Sequence, residues 1–367
     1  MNFTKRLNTF ADFFVDKLDH FIGAEIPQLY YNPNGEIAPI IKAISRLNSK
    51  YRPTPWLANT HAHLIYFDKI RKKVVQLEYD KIEQIKMSDG GITGIAWYGY
   101  DLPPETPTIL VLHTITGTPS SMRELVKDLH QATGWRIALC LRRGHAGLPL
   151  SIPKINLFGS TQDLREQIEF IQDQFPQSDL YAVGSSAGTG LLVRYLGEEE
   201  DRTPIKSAFA LCPGYNTETG FSFVHPFYSK IMAKKLNTYF LQPYILEWKN
   251  TPAAQSLATA KDLSEFEKAY FELAGFSSYE TYCKATNPIY VFEKISIPLM
   301  ILNAEDDPVC NIVNLEPYKD TIKKMSNIAV VTTKRGSHCC FYEGFTSTKS
   351  WAHQLIGDYF KQQEPKN

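Results

Sequence analysis

Ser186 stands at the centre of Gly184-Ser185-Ser186-Ala187-Gly188, a Gly-x-Ser-x-Gly run. A short apolar stretch, Leu180-Tyr181-Ala182-Val183, precedes it, and Thr189 to Leu196 follows with the character of a helix. Strand, sharp turn and helix together lift a serine hydroxyl clear of a sheet edge, where helix N-terminal amides lie behind it. Only Ser186 has glycine two residues before and two after, so register makes it the candidate nucleophile and leaves Ser185 in the variable slot. A serine hydroxyl is a weak nucleophile and needs a base, which in turn needs an orienting acid. After such a turn the acid and then the histidine follow in the chain. Asp307 lies in Asn303-Ala304-Glu305-Asp306-Asp307-Pro308, just past a strand-like Leu299–Leu302, and His338 lies in Arg335-Gly336-Ser337-His338, past Ile328–Thr332. Glu305 and Asp306 compete for the role of acid. The proline directly after Asp307 fixes the turn of its loop and favours Asp307. An oxyanion would need two backbone N–H donors, one from Ala187 after the nucleophile. The second falls in His113-Thr114-Ile115-Thr116-Gly117, with Ile115 preferred and Thr116 the alternative.

The elements that must hold these residues begin with a regular alternation from Thr108. Ile109–Leu112 reads as a buried strand, Ser120–Ala132 as a helix, Arg136–Leu141 as a strand and Thr161–Gln174 as a helix. The nucleophile strand and its helix follow, then strands at Ser207–Leu211, Leu299–Leu302 and Ile328–Thr332 and a closing helix at Trp351–Tyr359. Continuous apolar strands separated by helices mean a mostly parallel sheet covered on both faces, an α/β architecture. Lys73–Tyr79 and Ile92–Tyr98 alternate like antiparallel strands joined through Ser88-Asp89-Gly90-Gly91, which adds an antiparallel edge. Pro27 to Pro55 reads as a Tyr/Asn/Pro-rich connector around one short helix near Ile37–Leu47. Between Pro213 and Pro298 the strand rhythm stops, and the segment reads as helical and aromatic. The expected organisation is an N-terminal helical extension and connector at 1–54, a core at 55–212 and 297–367, and a helical cap or lid at 213–296.

With 367 residues the chain can bury a full core. Lysine plus arginine equal aspartate plus glutamate at 39 each, which gives neither a basic field for nucleic acid nor an acidic disordered tail. The six cysteines lack zinc-ligand spacing and are expected as reduced thiols in a cytoplasmic protein, with Cys339-Cys340 as a wall beside the histidine. No metal and no cofactor are expected. His63 to Asp68 matches a His-x4-Asp pattern by chance, and the glycines of 184–190 lack a phosphate-loop lysine. Phe3, Leu7, Phe10, Phe14, Leu18 and Phe21 share one helical face. Acidic residues break this stretch well short of the roughly 18 residues a membrane span needs. Such a stripe usually packs on its own core, and its aromatic content also permits peripheral contact with a lipid surface.

Several blocks resemble one branch of the α/β hydrolases, the one that holds animal abhydrolase-domain lipases, plant embryogenesis-associated esterase-like proteins and yeast medium-chain ethyl-ester synthase/esterases. They are Pro55-Trp56-Leu57 with His61-Ala62-His63, Asp89-Gly90-Gly91 with Trp97, His113 to Gly117, Asn156 to Gly159 with Thr161 to Arg165, and the Ala182–Gly188 turn. Tyr195-Leu196-Gly197-Glu198, Gly275-Phe276 with Tyr282, Asn303-Ala304 with Asp306-Asp307-Pro308, and Gly336-Ser337-His338 with Phe341-Tyr342-Glu343-Gly344 complete the set. The resemblance covers roughly residues 55 to 345 and implies an α/β-hydrolase fold with Ser186, Asp307 and His338 as its triad. The implied activity is hydrolysis of carboxylic esters of acyl lipids or medium-chain fatty acids through an acyl-enzyme. Transfer of the same acyl group to an alcohol, or a non-catalytic binding role, are the alternatives. Thr114 stands where the family usually has glycine, Ser185 where a phenylalanine is common, and Cys283 where the second tyrosine of a pair is usual.

Overall fold

The computed structural model describes residues 15–364 except 156, 249–250 and 346–347. Nine strands form one sheet: β1 (Gln28–Tyr31), β2 (Lys81–Lys86), β3 (Ile92–Tyr98), β4 (Thr108–Leu112), β5 (Arg136–Leu141), β6 (Leu180–Ser185), β7 (Ile205–Leu211), β8 (Leu299–Ala304) and β9 (Ile328–Thr333). Their spatial order is β1-β9-β8-β7-β6-β4-β5-β3-β2. The six strands from β4 to β9 pair in parallel, whereas β1 against β9, β3 against β5 and β2 against β3 are antiparallel. Strands β4, β5, β6, β8 and β9 are buried at every position, as parallel strands covered on both faces must be.

A helix over residues 15–22 precedes the sheet. The longer helices after it are α1 (Ala38–Ala43), α2 (Thr60–Tyr66), α3 (Pro119–Thr133), α4 (Thr161–Gln174), α5 (Ala187–Glu199), α6 (Pro226–Leu236), α7 (Pro252–Thr259), α8 (Leu263–Tyr270), α9 (Tyr279–Thr286) and α10 (Trp351–Lys361). The period-two alternation of each strand sends neighbours to opposite faces. Ile109 and Val111 of β4 join Ile41 of α1, Val126 and Leu129 of α3 and Ile356 of α10 on one side. Leu110 and Leu112 join Ile168 and Ile171 of α4 and Leu192 and Leu196 of α5 on the other. Each such fully buried side chain contributes about 1.5–3 kcal/mol.

Residues 213–296 contain helices and turns and no strand among the described residues. Their apolar side chains form a separate cluster in which Leu236, Trp248, Leu257, Phe266 and Tyr282 meet Ile115, Ile155 and Leu157 from the sheet-edge loops. The Tyr270 hydroxyl ties the two together, donating to the Ile155 carbonyl and accepting from the Leu157 N–H.

Three expectations about elements are corrected. Lys73–Tyr79 is not a strand: residues 72–74 are helical, residues 75–79 have no regular structure, and β2 begins at Lys81. Strand β2 lies at the sheet edge with only Ile85 buried, so its own pattern is nearly polar and pairing with β3 decides its conformation. The Pro27–Pro55 connector contains β1, which is made by long-range pairing of Gln28–Tyr31 with Ala329–Thr332. In the N-terminal stripe, Phe3, Leu7, Phe10 and Phe14 lie outside the described residues. Leu18 and Phe21 are exposed, and the buried face carries Ile22 and Asp19, the latter paired with Lys50 and Arg52. No described helix is long and apolar enough to cross a membrane.

Candidate active site

The turn between β6 and α5 explains its two glycines. A Cβ on Gly188 would lie 2.1 Å from the Leu112 carbonyl oxygen of β4, and one on Gly184 would lie 2.7 Å from the Gly188 carbonyl oxygen. Backbone cannot move out of the way as a side chain can, so both positions exclude a side chain. Between them Ser186 has φ 52° and ψ −118°, a conformation that costs of order 1–3 kcal/mol for a residue with a Cβ. The Ser186 N–H is held by the Leu211 carbonyl of β7 at 2.9 Å. The strain aims the hydroxyl out of the sheet edge.

That hydroxyl lies 2.7 Å from Nε2 of His338, and Nδ1 of the same ring lies 2.8 Å from Oδ2 of Asp307. Asp307 is itself fixed, because its Oδ1 accepts the N–H groups of Val309 and Cys310 at 2.7 and 2.9 Å. Both loops leave the carboxyl ends of adjacent parallel strands, β8 and β9, which brings residues 121 and 152 positions beyond Ser186 to one point. Asp306 points elsewhere: its Oδ1 accepts the Ser337 N–H at 2.9 Å, and burial pushes its carboxyl up to about 6. Burial opposes a charge on His338, but the Asp307 carboxylate, with Cys339 and Cys310 nearby, outweighs it and raises the ring's pKa well above the ordinary histidine value.

The loop after β4 turns its carbonyls inward. The Thr114 carbonyl accepts from Gly117 N–H at 2.9 Å and from Arg142 Nη2 at 2.6 Å, and His113 Nδ1 lies 2.7 Å from it. In a trans peptide the Ile115 N–H points the opposite way, and Ile115 lines the same cavity as Ser186 and Ala187. His145 is fully buried beneath this loop with Nε2 2.9 Å from the Ile115 carbonyl and Nδ1 2.9 Å from that of Arg143. Burial and the neighbouring Arg142 push its pKa down to about 3.

The sequence family Abhydrolase_1, described as alpha/beta hydrolase fold, matches residues 107–345. The chain belongs to the α/β hydrolases. Embryogenesis-associated protein EMB8 of Picea glauca is 25% identical over 353 residues, covering 89% of this chain and 75% of that protein. Phospholipase ABHD3 of Bos taurus is 28% identical over 312 residues (82% and 75%), and monoacylglycerol lipase ABHD2 of Mus musculus 24% over 369 residues (91% and 84%). These relatives agree with the resemblance to the abhydrolase-domain lipase branch. Among solved structures, esterase Pf2001 of Pyrococcus furiosus aligns with a TM-score of 0.52 at 16% identity, covering 79% of this chain and 94% of its own. Est1E of Butyrivibrio proteoclasticus, with bound ferulic acid, aligns at 0.51 and 14%, covering 77% and 98%.

In this α/β hydrolase the structure brings together Ser186, Asp307, His338, Ala187 and Ile115, and it leaves Glu305, Asp306 and Ser185 out of the Ser–His–Asp chain. Ser185 instead donates to Cys339 Sγ at 3.6 Å. Sequence reasoning missed the residues that brace the histidine loop. The Thr60 hydroxyl of α2 donates to the Asp306 carbonyl at 2.8 Å and lies 2.8 Å from Ser337 Oγ, which in turn donates to the Thr60 carbonyl. Asn59 at the start of α2 is a visible helix cap and was the one signal available there. Sequence spacing also hid a cluster that only folding assembles: Cys212 and Cys339 lie within 4.8 Å of a His338 ring nitrogen, and so do Asp307 and Cys310. Over Ser186 lies a cavity of about 80 Å³ whose apolar wall includes Phe158, Phe221, Val224, Met232, Leu263 and Val309.

Proposed function

We propose that this protein is a serine esterase or lipase that cleaves carboxylic esters of acyl lipids or medium-chain fatty acids through an acyl-enzyme on Ser186. The observation that carries the reading is the continuous Ser186–His338–Asp307 hydrogen-bond chain at the floor of a mostly apolar cavity. Ser186 Oγ attacks the ester carbonyl while His338 Nε2 takes its proton, and Asp307 holds Nδ1–H and stabilises the imidazolium. The N–H groups of Ala187 and Ile115 receive the oxyanion, and His338 returns the proton to the departing alkoxide. Water then takes the same route and frees the acid. Residues 213–296 act as the cap and supply half of the cavity's lining residues. The names of the relatives, a phospholipase and a monoacylglycerol lipase, point to the same substrate class.

An apolar wall rewards each buried acyl CH₂ by about 0.8 kcal/mol until the space is filled. The test is kcat/KM on p-nitrophenyl esters of increasing acyl length, with and without ethanol. The expected result is a rise from acetyl to medium chains followed by a plateau or fall, with free acid as the product. A steady decline from acetate onward contradicts the acyl-lipid reading. Ethyl ester as the main product in dilute ethanol replaces hydrolysis with acyl transfer.

A further inference from the structure

We propose that Cys212 and Cys339 are a peroxide-sensitive thiol pair whose oxidation to a disulfide displaces His338 and silences the site. This rests on the role given above to Ser186, His338 and Asp307. Cys212 is the residue after β7 and Cys339 the residue after His338, so the pair joins a fixed strand end to the loop that carries the imidazole. Their sulfurs lie within 4.8 Å of each other and of a His338 ring nitrogen. The Cys339 N–H donates to Cys212 Sγ at 3.2 Å, which already turns that sulfur toward Cys339. A disulfide needs the sulfurs at about 2.05 Å, and side-chain torsion plus a small loop shift closes the gap. Both residues have positive φ, 54° and 61°, a backbone region that is costly for a residue with a Cβ.

The two thiols differ in the way a peroxide reaction requires. Burial opposes charge on Cys339, but hydrogen bonding with Cys212 and the nearby imidazole outweigh it and hold its pKa below the ordinary thiol value. The Ser185 hydroxyl donates to the same sulfur. Burial and then Cys339 push the Cys212 thiol up, so it stays protonated. The Cys339 thiolate attacks one oxygen of hydrogen peroxide, the O–O bond breaks, and hydroxide leaves and takes up a proton to become water. Cys212 sulfur then attacks the resulting sulfenic sulfur, its proton leaves with the displaced hydroxyl as a second water, and the S–S bond forms. Two thiols are oxidised by two electrons and one peroxide is reduced. Cys339 keeps 7% of its surface exposed and Cys212 none, so peroxide meets Cys339 first. Closing the bridge pulls Cys339 toward β7 and breaks its contact with Ser185. His338, one residue away, must keep 2.7 Å to Ser186, and a misplacement of about 1 Å costs on the order of 100-fold in rate.

The 367-residue chain is treated with stoichiometric hydrogen peroxide and followed by ester turnover, fluorophosphonate labelling of Ser186, thiol titration and non-reducing peptide mapping. The expected result is a roughly 100-fold loss of turnover and labelling, and a peptide pair linking Cys212 to Cys339. Free thiols fall by two from the six present, and dithiothreitol restores all readouts. Cys212→Ala and Cys339→Ala should each keep their turnover under peroxide, whereas Cys340→Ala should lose it as the native protein does. Inactivation that persists in Cys212→Ala, a bridge that excludes Cys212, or a bridge that leaves turnover intact overturns the proposal. Peptide mapping reads the bridge without any substrate, so a protein that forms it yet hydrolyses no ester contradicts the proposed function and not the thiol pair.

Discussion

Residues 184–188 and residues 336–341 face each other across the 2.7 Å between Ser186 and His338, and they are held in different ways. The nucleophile turn is local. Two glycines press against backbone, a strand precedes, a helix follows, and one residue carries the strain. The histidine loop has positive φ at Gly336, Ser337, Cys339 and Phe341, and only the first of these is a glycine. Non-glycine residues hold such conformations when their surroundings over-determine them. Here the surroundings are remote in sequence: Asp306 on the Ser337 N–H, Thr60 on Asp306 and Ser337, and Cys212 on the Cys339 N–H. One half of the site is written in five residues, and the other is written in contacts between four loops.

The largest expected effect separates the two aspartates of the acid loop. Asp307→Asn should lower kcat by about 10³–10⁴, because the imidazole loses the partner that fixes its tautomer. Asp306→Asn should cost far less, since its carboxylate meets the Ser337 N–H and, at 3.8 Å, the Arg335 guanidinium rather than the imidazole. Steady-state kinetics of the pair decide this, and equal losses would mean that bracing and orientation are not separable. Next in size is Gly188→Ala, which drives a Cβ into the Leu112 carbonyl and should destabilise the fold by about 1–3 kcal/mol. Thermal unfolding measures that cost, and labelling of Ser186 should fall with it. Thr60→Val removes one hydroxyl from the histidine loop and should cost about 1 kcal/mol. If the loop is braced as described, turnover falls several-fold while the strand-and-helix core keeps its near-ultraviolet signature.

This contrast also explains what could be read from the chain alone. Strands β4 to β9 were legible to within two residues of their ends because buried parallel strands are continuous apolar runs. Ser186 was legible because a sharp turn imposes glycine at fixed offsets, and Asp307 and His338 followed from strand ends and chain order. β1 was not, because four residues of Gln-Leu-Tyr-Tyr acquire their conformation from Ala329–Thr332 nearly three hundred positions away. β2 was displaced because an edge strand with one buried side chain carries almost no pattern. Thr60 and Cys212 were invisible for the same reason as β1: their roles exist only once distant loops meet.

The smallest effect concerns protons. His338 acts as a base only when neutral, so kcat/KM must fall as pH falls through its pKa. With that pKa raised by Asp307, the acid limb should lie above the ordinary value of about 6.5. In Asp307→Asn the same limb should move down in pH, because the charge that favours the imidazolium is gone. A limb that does not move would detach Asp307 from the imidazole.

The central claim is that Ser186, and not its neighbour Ser185, is the activated nucleophile. Reaction with a fluorophosphonate probe followed by peptide mapping tests it most directly, because the probe bonds only to a serine whose proton a base can take. One phosphonyl group on Ser186 is expected, absent in Ser186→Ala and retained in Ser185→Ala. An adduct on Ser185, or labelling that survives Ser186→Ala, would contradict the account.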